Sequence, residues 1–129
     1  MRELLRDRER LEHIIAAIDR VNRYTKGKTF DDLLNDDMMY YALVKNIEMM
    51  GEAANMLTTE FQNSHPETPW KMVKGMRNYI VHEYFQIDSV VIWDVVTKEL
   101  SSLRDQIIRY LAETDWEEWE KDNPSKGED

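Results

Sequence analysis

Hydrophobic positions along the chain recur every three or four residues, with no convincing alternation, so the elements they predict are helices. Leu4, Leu11, Ile14, Ile15, Ile18 and Val21 line one face of a first helix from about Arg2 to Tyr24. The segment Thr25-Lys26-Gly27-Lys28-Thr29 breaks it. Thr29 with Asp32 three residues on makes a capping box for a short turn through Leu34. A second helix is predicted from about Asp36 to Asn63, with Tyr40, Leu43, Val44, Ile47, Met50, Ala54, Leu57 and Phe61 as its stripe. Within it, Gly51, Ala53 and Ala54 form a small-residue patch where another helix can come close. The segment Asn63 to Pro69 ends that helix, and Thr68 as N-cap with Pro69 at the first helical position opens a third, reaching about His82. Asp88 caps a fourth, which runs to about Glu113 along Ile92, Val96, Leu100, Leu103, Ile107, Tyr110 and Leu111. These patterns predict an all-α fold, an antiparallel bundle of four or five helices in which each helix buries one face.

Composition sets the class around that pattern. The 129 residues are one domain's worth, and 42% hydrophobic with 33% charged residues suits a soluble helical protein. No apolar run approaches the roughly 20 residues that span a bilayer. The start Met1-Arg2-Glu3-Leu4-Leu5-Arg6-Asp7 lacks the apolar core of a signal peptide. There is no cysteine, which excludes disulfides, thiolate metal sites and cysteine nucleophiles. The expected location is the cytoplasm, with no membrane partner.

A net charge of −9 argues against a nucleic-acid binder until its distribution is considered. From Glu113 to Asp129 eight acidic residues face two lysines, so −6 of the total sits at the end of the chain. The expected organisation is therefore a helical body over residues 1–113 and an acidic, mobile tail over residues 114–129. The body retains room for a basic patch.

The third helix carries the candidate chemistry. At about 100° per residue, Met72, Val73, Met76, Tyr79 and Ile80 share a core face. Lys71, Asn78 and His82 cluster opposite, with Lys74 to one side and Arg77 near the edge of that polar face. Asn78 and His82 are an i, i+4 pair, whereas Arg77 and His82, five apart, converge only if the helix loosens or a second subunit supplies the partner. Spacing alone favours a structural role for these residues, with His82 complementing a helix C-terminus and Arg77 solvated. Glu52 can pair with Arg77 across helices or serve as an ordinary surface carboxylate. His13 and His65 have no metal-ligand spacing, so no metal or other cofactor is expected, and His65 is placed in an exposed loop. The eight methionines fall mostly on apolar stripes and are expected in the core.

Four segments in order then resemble one family. Arg77-Asn78-Tyr79-Ile80-Val81-His82-Glu83-Tyr84 is similar to the R-x-x-x-x-H-x-Y motif of HepT-like HEPN toxin ribonucleases. Ile47 to Ala54 resembles that family's GEAA helix, Pro66-Glu67-Thr68-Pro69-Trp70 its entry to the motif helix, and Val91-Ile92-Trp93 its element after the motif. The resemblance spans roughly residues 5 to 112.

It implies a HEPN-like dimeric bundle acting as a metal-independent endoribonuclease, the toxin of a toxin–antitoxin pair, with its site at the homodimer interface. His82 would move protons and Arg77 would stabilise charge on the phosphate, as histidine and arginine are suited to do. Asn78 would orient one of them, and Lys71 and Lys74 would attract RNA, either tRNA or mRNA. The resemblance also implies that Tyr84 is adenylylated by a cognate minimal nucleotidyltransferase antitoxin, although by its residue type alone it reads as a packing tyrosine. A second reading is a noncatalytic helical partner that binds substrate for a nucleotidyltransferase. A third is a plain dimerising bundle whose acidic tail docks a basic partner.

Overall fold

Heptad-like spacing of Leu11, Ile14, Ala17, Ile18 and Val21 gives α1 (Asp7–Thr25) a fully buried face. The computed structural model describes residues 6–78 and 88–123, and those residues contain helices and no strand. Gly27, with φ of 73°, makes the left-handed step after α1 that a side chain would resist. The expected capping box forms at α2 (Phe30–Leu34), where the Thr29 side chain accepts from Asp32 N–H and the Asp32 carboxylate accepts from Thr29 N–H. Asp36 caps α3 (Asp37–Asn55) by accepting from Met39 N–H.

The long second helix expected to Asn63 is two helices. The chain turns at residues 56–58, and α4 (Thr59–Ser64) starts afresh with Thr58 accepting from Phe61 N–H. The break serves a tertiary contact. Thr58 N–H and Oγ–H both donate to the buried Asp7 carboxylate, at 2.8 and 2.7 Å. Asp7 thus joins the start of α1 to the far end of α3, while Arg20 near the end of α1 reaches Asn46 in the middle of α3. The two helices therefore run antiparallel.

α5 (Trp70–Gly75) is followed by α6 (Ser89–Asp94), with Asp88 accepting from Val90 N–H as expected of a cap. A π-helical turn over Val95–Glu99 carries α6 into α7 (Leu100–Glu113). That turn shifts the buried stripe. Its wider i→i+5 geometry places Val95, five residues before Leu100, inside, and leaves Val96 only half-buried. The regular spacing expected through Val96 misses this extra residue.

Packing extends past the expected end of the body at residue 113. α8 (Trp116–Asp122) folds back on the bundle, capped by Asp115. Trp116 stacks on Phe61 at 6.0 Å, Trp119 meets the same ring edge-on at 5.5 Å, and its indole N–H donates to Asp7 at 3.0 Å. Charge made this segment look like a mobile tail, but two tryptophans give it enough apolar area to dock. Residues 124–129 lie outside the described residues. Trp70, Tyr110 and His65 complete the ring of aromatics round Phe61, so His65 is half-buried rather than exposed. Conversely Met38, Met49 and Met72 face outward, not into the core.

One contact sets where α5 sits. A β-carbon built on Gly51 of α3 would lie 3.0 Å from the Val73 carbonyl oxygen, 2.9 Å from the Met76 carbonyl carbon and closer still to the Arg77 nitrogen. All three are backbone atoms and cannot rotate away. The small-residue patch expected on this helix is therefore the seat of α5.

Two predictions follow from this packing. Gly51→Ala gains up to about 1 kcal/mol of helix propensity but must push α5 away, at about 1–3 kcal/mol or more of overpacking. Net destabilisation is expected in urea unfolding, and a stabilised variant would contradict the close approach. Asp7→Ala leaves the Thr58 and Trp119 donors without their acceptor and should cost about 2–4 kcal/mol. A loss under about 1 kcal/mol in the same measurement would show that Asp7 does not hold α8 and α3 together.

Candidate active site

The motif helix begins on a buried polar clasp rather than on a side-chain cap. Thr68 Oγ–H donates to Gln106 Oε1 at 2.7 Å and also meets the Tyr110 hydroxyl, both on α7. Thr68 is thus occupied in tertiary contacts and does not cap α5, which starts from Pro69 with no side-chain cap. Burial pushes the Tyr110 phenol above its ordinary pKa. Glu67 beside it is held below the usual carboxylate range, chiefly by its own backbone N–H, and accepts from Arg109 at 3.1 Å. The Trp70 indole N–H donates to the His65 carbonyl at 2.9 Å, so the first residue of α5 is fixed from both sides.

From this anchor α5 runs for six residues and then tightens into a 3₁₀ turn over residues 76–78. Val73 and Met76 are buried against α3, as the periodicity requires, whereas Met72, expected on the same face, is exposed. The 3₁₀ turn advances about 120° per residue instead of 100°. Over the two residues after Met76 this adds only about 40°, so Asn78 stays on the exposed side with Lys71. Arg77 and Lys74 are half-buried, and Lys71 and Asn78 are exposed.

Arg77 owes its position to the backbone. Its amide nitrogen is the atom closest to where a Gly51 β-carbon would stand. The guanidinium forms no ion pair with Glu52 among the described residues; Glu52 points to the other flank of α3, towards α1. Arg77, Asn78, Lys71 and Lys74 thus come from one short segment with a rigid seat. His82 and Tyr84 lie outside the described residues, as do Tyr79 and Ile80 of the expected core face.

Among the described residues no three His, Asp or Glu side chains converge as a metal site would require. No helix among them is long and apolar enough to cross a membrane. The backbone seat on Gly51 and the Thr68 clasp were not expected in full. Glycine in the patch hinted at the first, but only a partner backbone reveals how close the approach is.

The family model for ribonuclease HepT-like proteins matches residues 14–110. A protein of Caldanaerobacter subterraneus subsp. tengcongensis, provisionally named an RNase, is 36% identical over 78% of this chain and 90% of its own length. A Thermococcus cleftensis protein named "Probable ribonuclease HepT" is 34% identical over 73% of this chain and 86% of its own. A longer Methanocaldococcus jannaschii protein, whose name joins a gamma-glutamylcyclotransferase to a provisional RNase, is 34% identical over 81% of this chain, which spans only 47% of it. No solved structure matches. The family match covers α3, α5 and the span from Arg77 to Tyr84, and it places this chain in the HepT-like ribonuclease family.

Proposed function

We propose that this ribonuclease is the toxin of a toxin–antitoxin pair, a homodimer that cuts RNA without a metal ion at a cleft lined by two copies of the Arg77–His82 motif. The observation that carries the reading is the half-buried Arg77, seated by its backbone on Gly51 in a chain of this family. A rigid cation serves phosphoryl transfer because the arrangement need not reorganise as charge develops.

In the reaction, the ribose 2′-oxygen attacks the adjacent phosphorus and the bond to the 5′-oxygen breaks. One His82 accepts the 2′-hydroxyl proton, and the other subunit's copy of that histidine donates a proton to the departing 5′-oxygen. The products are a 2′,3′-cyclic phosphate and a free 5′-hydroxyl. Histidine suits both roles because it titrates near neutrality. Arg77 holds the phosphate oxygens with two N–H groups as their charge grows. Asn78 orients the phosphate or the imidazole, while the exposed Lys71 and half-buried Lys74 draw in tRNA or mRNA.

Tyr84 is the control point in this reading. Adenylylation of its hydroxyl by a cognate minimal nucleotidyltransferase would add a negative phosphate and a nucleoside two residues from His82. Both oppose the entry of RNA phosphate.

RNA cleavage in EDTA by the full chain and by His82→Ala tests the proposal, with both proteins shown to be dimeric and to carry no AMP by intact mass. Loss of about 10²–10⁴-fold is expected for His82→Ala and of about 10²–10³-fold for Arg77→Ala. Cleavage that survives in either folded variant, or that needs a divalent metal, would overturn the assignment. An unmodified wild-type dimer that cuts neither tRNA nor mRNA would leave the noncatalytic partner as the better reading.

A further inference from the structure

Gly75 is the last residue of α5, and the chain stays right-handed through it into the 3₁₀ turn. At such a position glycine costs stability relative to alanine, because it loses more backbone freedom on folding. Two structural reasons for a glycine fail here. Many helices end on a glycine in the left-handed region, but among the described residues only Gly27 has a positive φ. The turn that follows opens with Met76 at φ −61° and ψ −26°, a conformation open to any residue. Nor is the space filled from within. A β-carbon built on Gly75 meets no heavy atom of the described residues within 4 Å, whereas one on Gly51 runs into three backbone atoms of the motif segment. The fold accounts for Gly51 and leaves Gly75 without a structural reason.

The surroundings of this bare backbone are cationic. Gly75 lies beside Lys71 and Met72, four and three residues before it, and beside Asn78, three after it. All three of those residues are exposed. Residues 70–78 include Lys71, Lys74 and Arg77 and no acidic residue, so this segment is positive in a chain of net charge −9. None of the three forms an ion pair among the described residues, whereas Lys45, Lys98, Arg104 and Arg109 each meet a carboxylate. Arg77 is two residues from Gly75, which on helical geometry separates their Cα atoms by about 5–6 Å. A second copy of the segment laid against Gly75 would oppose like charges, whereas a polyanion would neutralise them.

We propose that single-stranded RNA lies directly on the α5 backbone at Gly75, its sugar–phosphate chain occupying the space that a side chain would fill. Lys71 and Asn78 flank this contact, and Arg77 holds the neighbouring phosphate. Met72, 41% exposed, borders the same space and offers apolar surface to a ribose or base. The missing side chain lets the strand come close enough for the flanking residues to reach it. This inference rests on the ribonuclease reading above and adds to it a steric requirement at residue 75.

The test sets folding against binding. Urea unfolding of the full chain is compared for wild type, Gly75→Ala and Gly75→Gln. Binding of a labelled single-stranded RNA is measured in EDTA across a range of salt, with His82→Ala also present to prevent cutting. Both substitutions suit a helix better than glycine and add no charge, so the urea midpoint should hold or rise. Binding should nevertheless weaken by about fivefold for Gly75→Ala and further for Gly75→Gln, with the salt slope unchanged. Lys71→Gln should instead lower that slope by about 0.7. Ala112→Gln, at an exposed position on α7, should leave binding as it is. With His82 intact, KM for cleavage should rise in the same order as the binding loss.

Equal binding by wild type and both folded variants would overturn the contact, as would a binding loss that only tracks lost stability. Variants that turn monomeric as binding falls would assign Gly75 to a contact between copies of the chain instead. Displacement of the RNA by polyglutamate as readily as by unlabelled RNA would assign the face to an acidic polypeptide. Cleavage that needs His82 while binding ignores residue 75 defeats this contact alone. Binding that follows residue 75 in a chain that cuts no RNA keeps the contact and defeats the nuclease reading.

Discussion

The motif segment depends on the contact between Gly51 and the backbone of residues 73–77, where α3 and the motif segment meet backbone to backbone. A side chain at residue 51 would hold the two helices apart, and α5 is too short to find a seat by its own stability. Isolated helices below about 12 residues are marginal in water, and this one has six before it tightens. Its geometry is therefore imposed by its surroundings. Val73 and Met76 enter the core, Trp70 joins the aromatic cluster, and Thr68 is clasped by α7. Arg77 inherits its place from all of these.

The aromatic cluster round Phe61 is the second organising centre. It draws together α4, α5, α7 and α8 through edge-on and stacked rings, an arrangement worth more than buried area alone. Asp7 closes the same end of the molecule by accepting from Thr58 and Trp119. A carboxylate so buried is tolerable only with its acceptor capacity used, and three donors use it here. The acidic C-terminal segment is thereby tied to the start of the chain, so its charge is presented on a docked helix as far as residue 122.

Electrostatics divides the surface in a way that the net charge conceals. Several exposed cations of the described residues, Lys45, Lys98 and Arg109 among them, are paired with neighbouring carboxylates, an arrangement that contributes little to stability. Lys71, Lys74 and Arg77 gather within the motif segment. An acidic protein can in this way keep a local cationic patch, since screening confines each charge to about a Debye length of roughly 8–10 Å.

Periodicity and capping signals determined the all-helical class, the first helix from Asp7 onward though not its expected start near Arg2, the capping box at Thr29 and the Asp88 cap, because each depends on residues within one or two turns. The residues of the motif were legible too, and with three flanking segments they indicated the family. Other features were decided only by the tertiary structure. The break at residues 56–58, the exposure of Met72, the use of Thr68 as a clasp and the π turn before Leu100 all answer to partners distant in sequence. The same holds for α8, where two tryptophans finding Phe61 outweighed a charge pattern that pointed to solvent. Local signals specify which backbone a segment prefers, while long-range burial selects the face it shows and where it must bend.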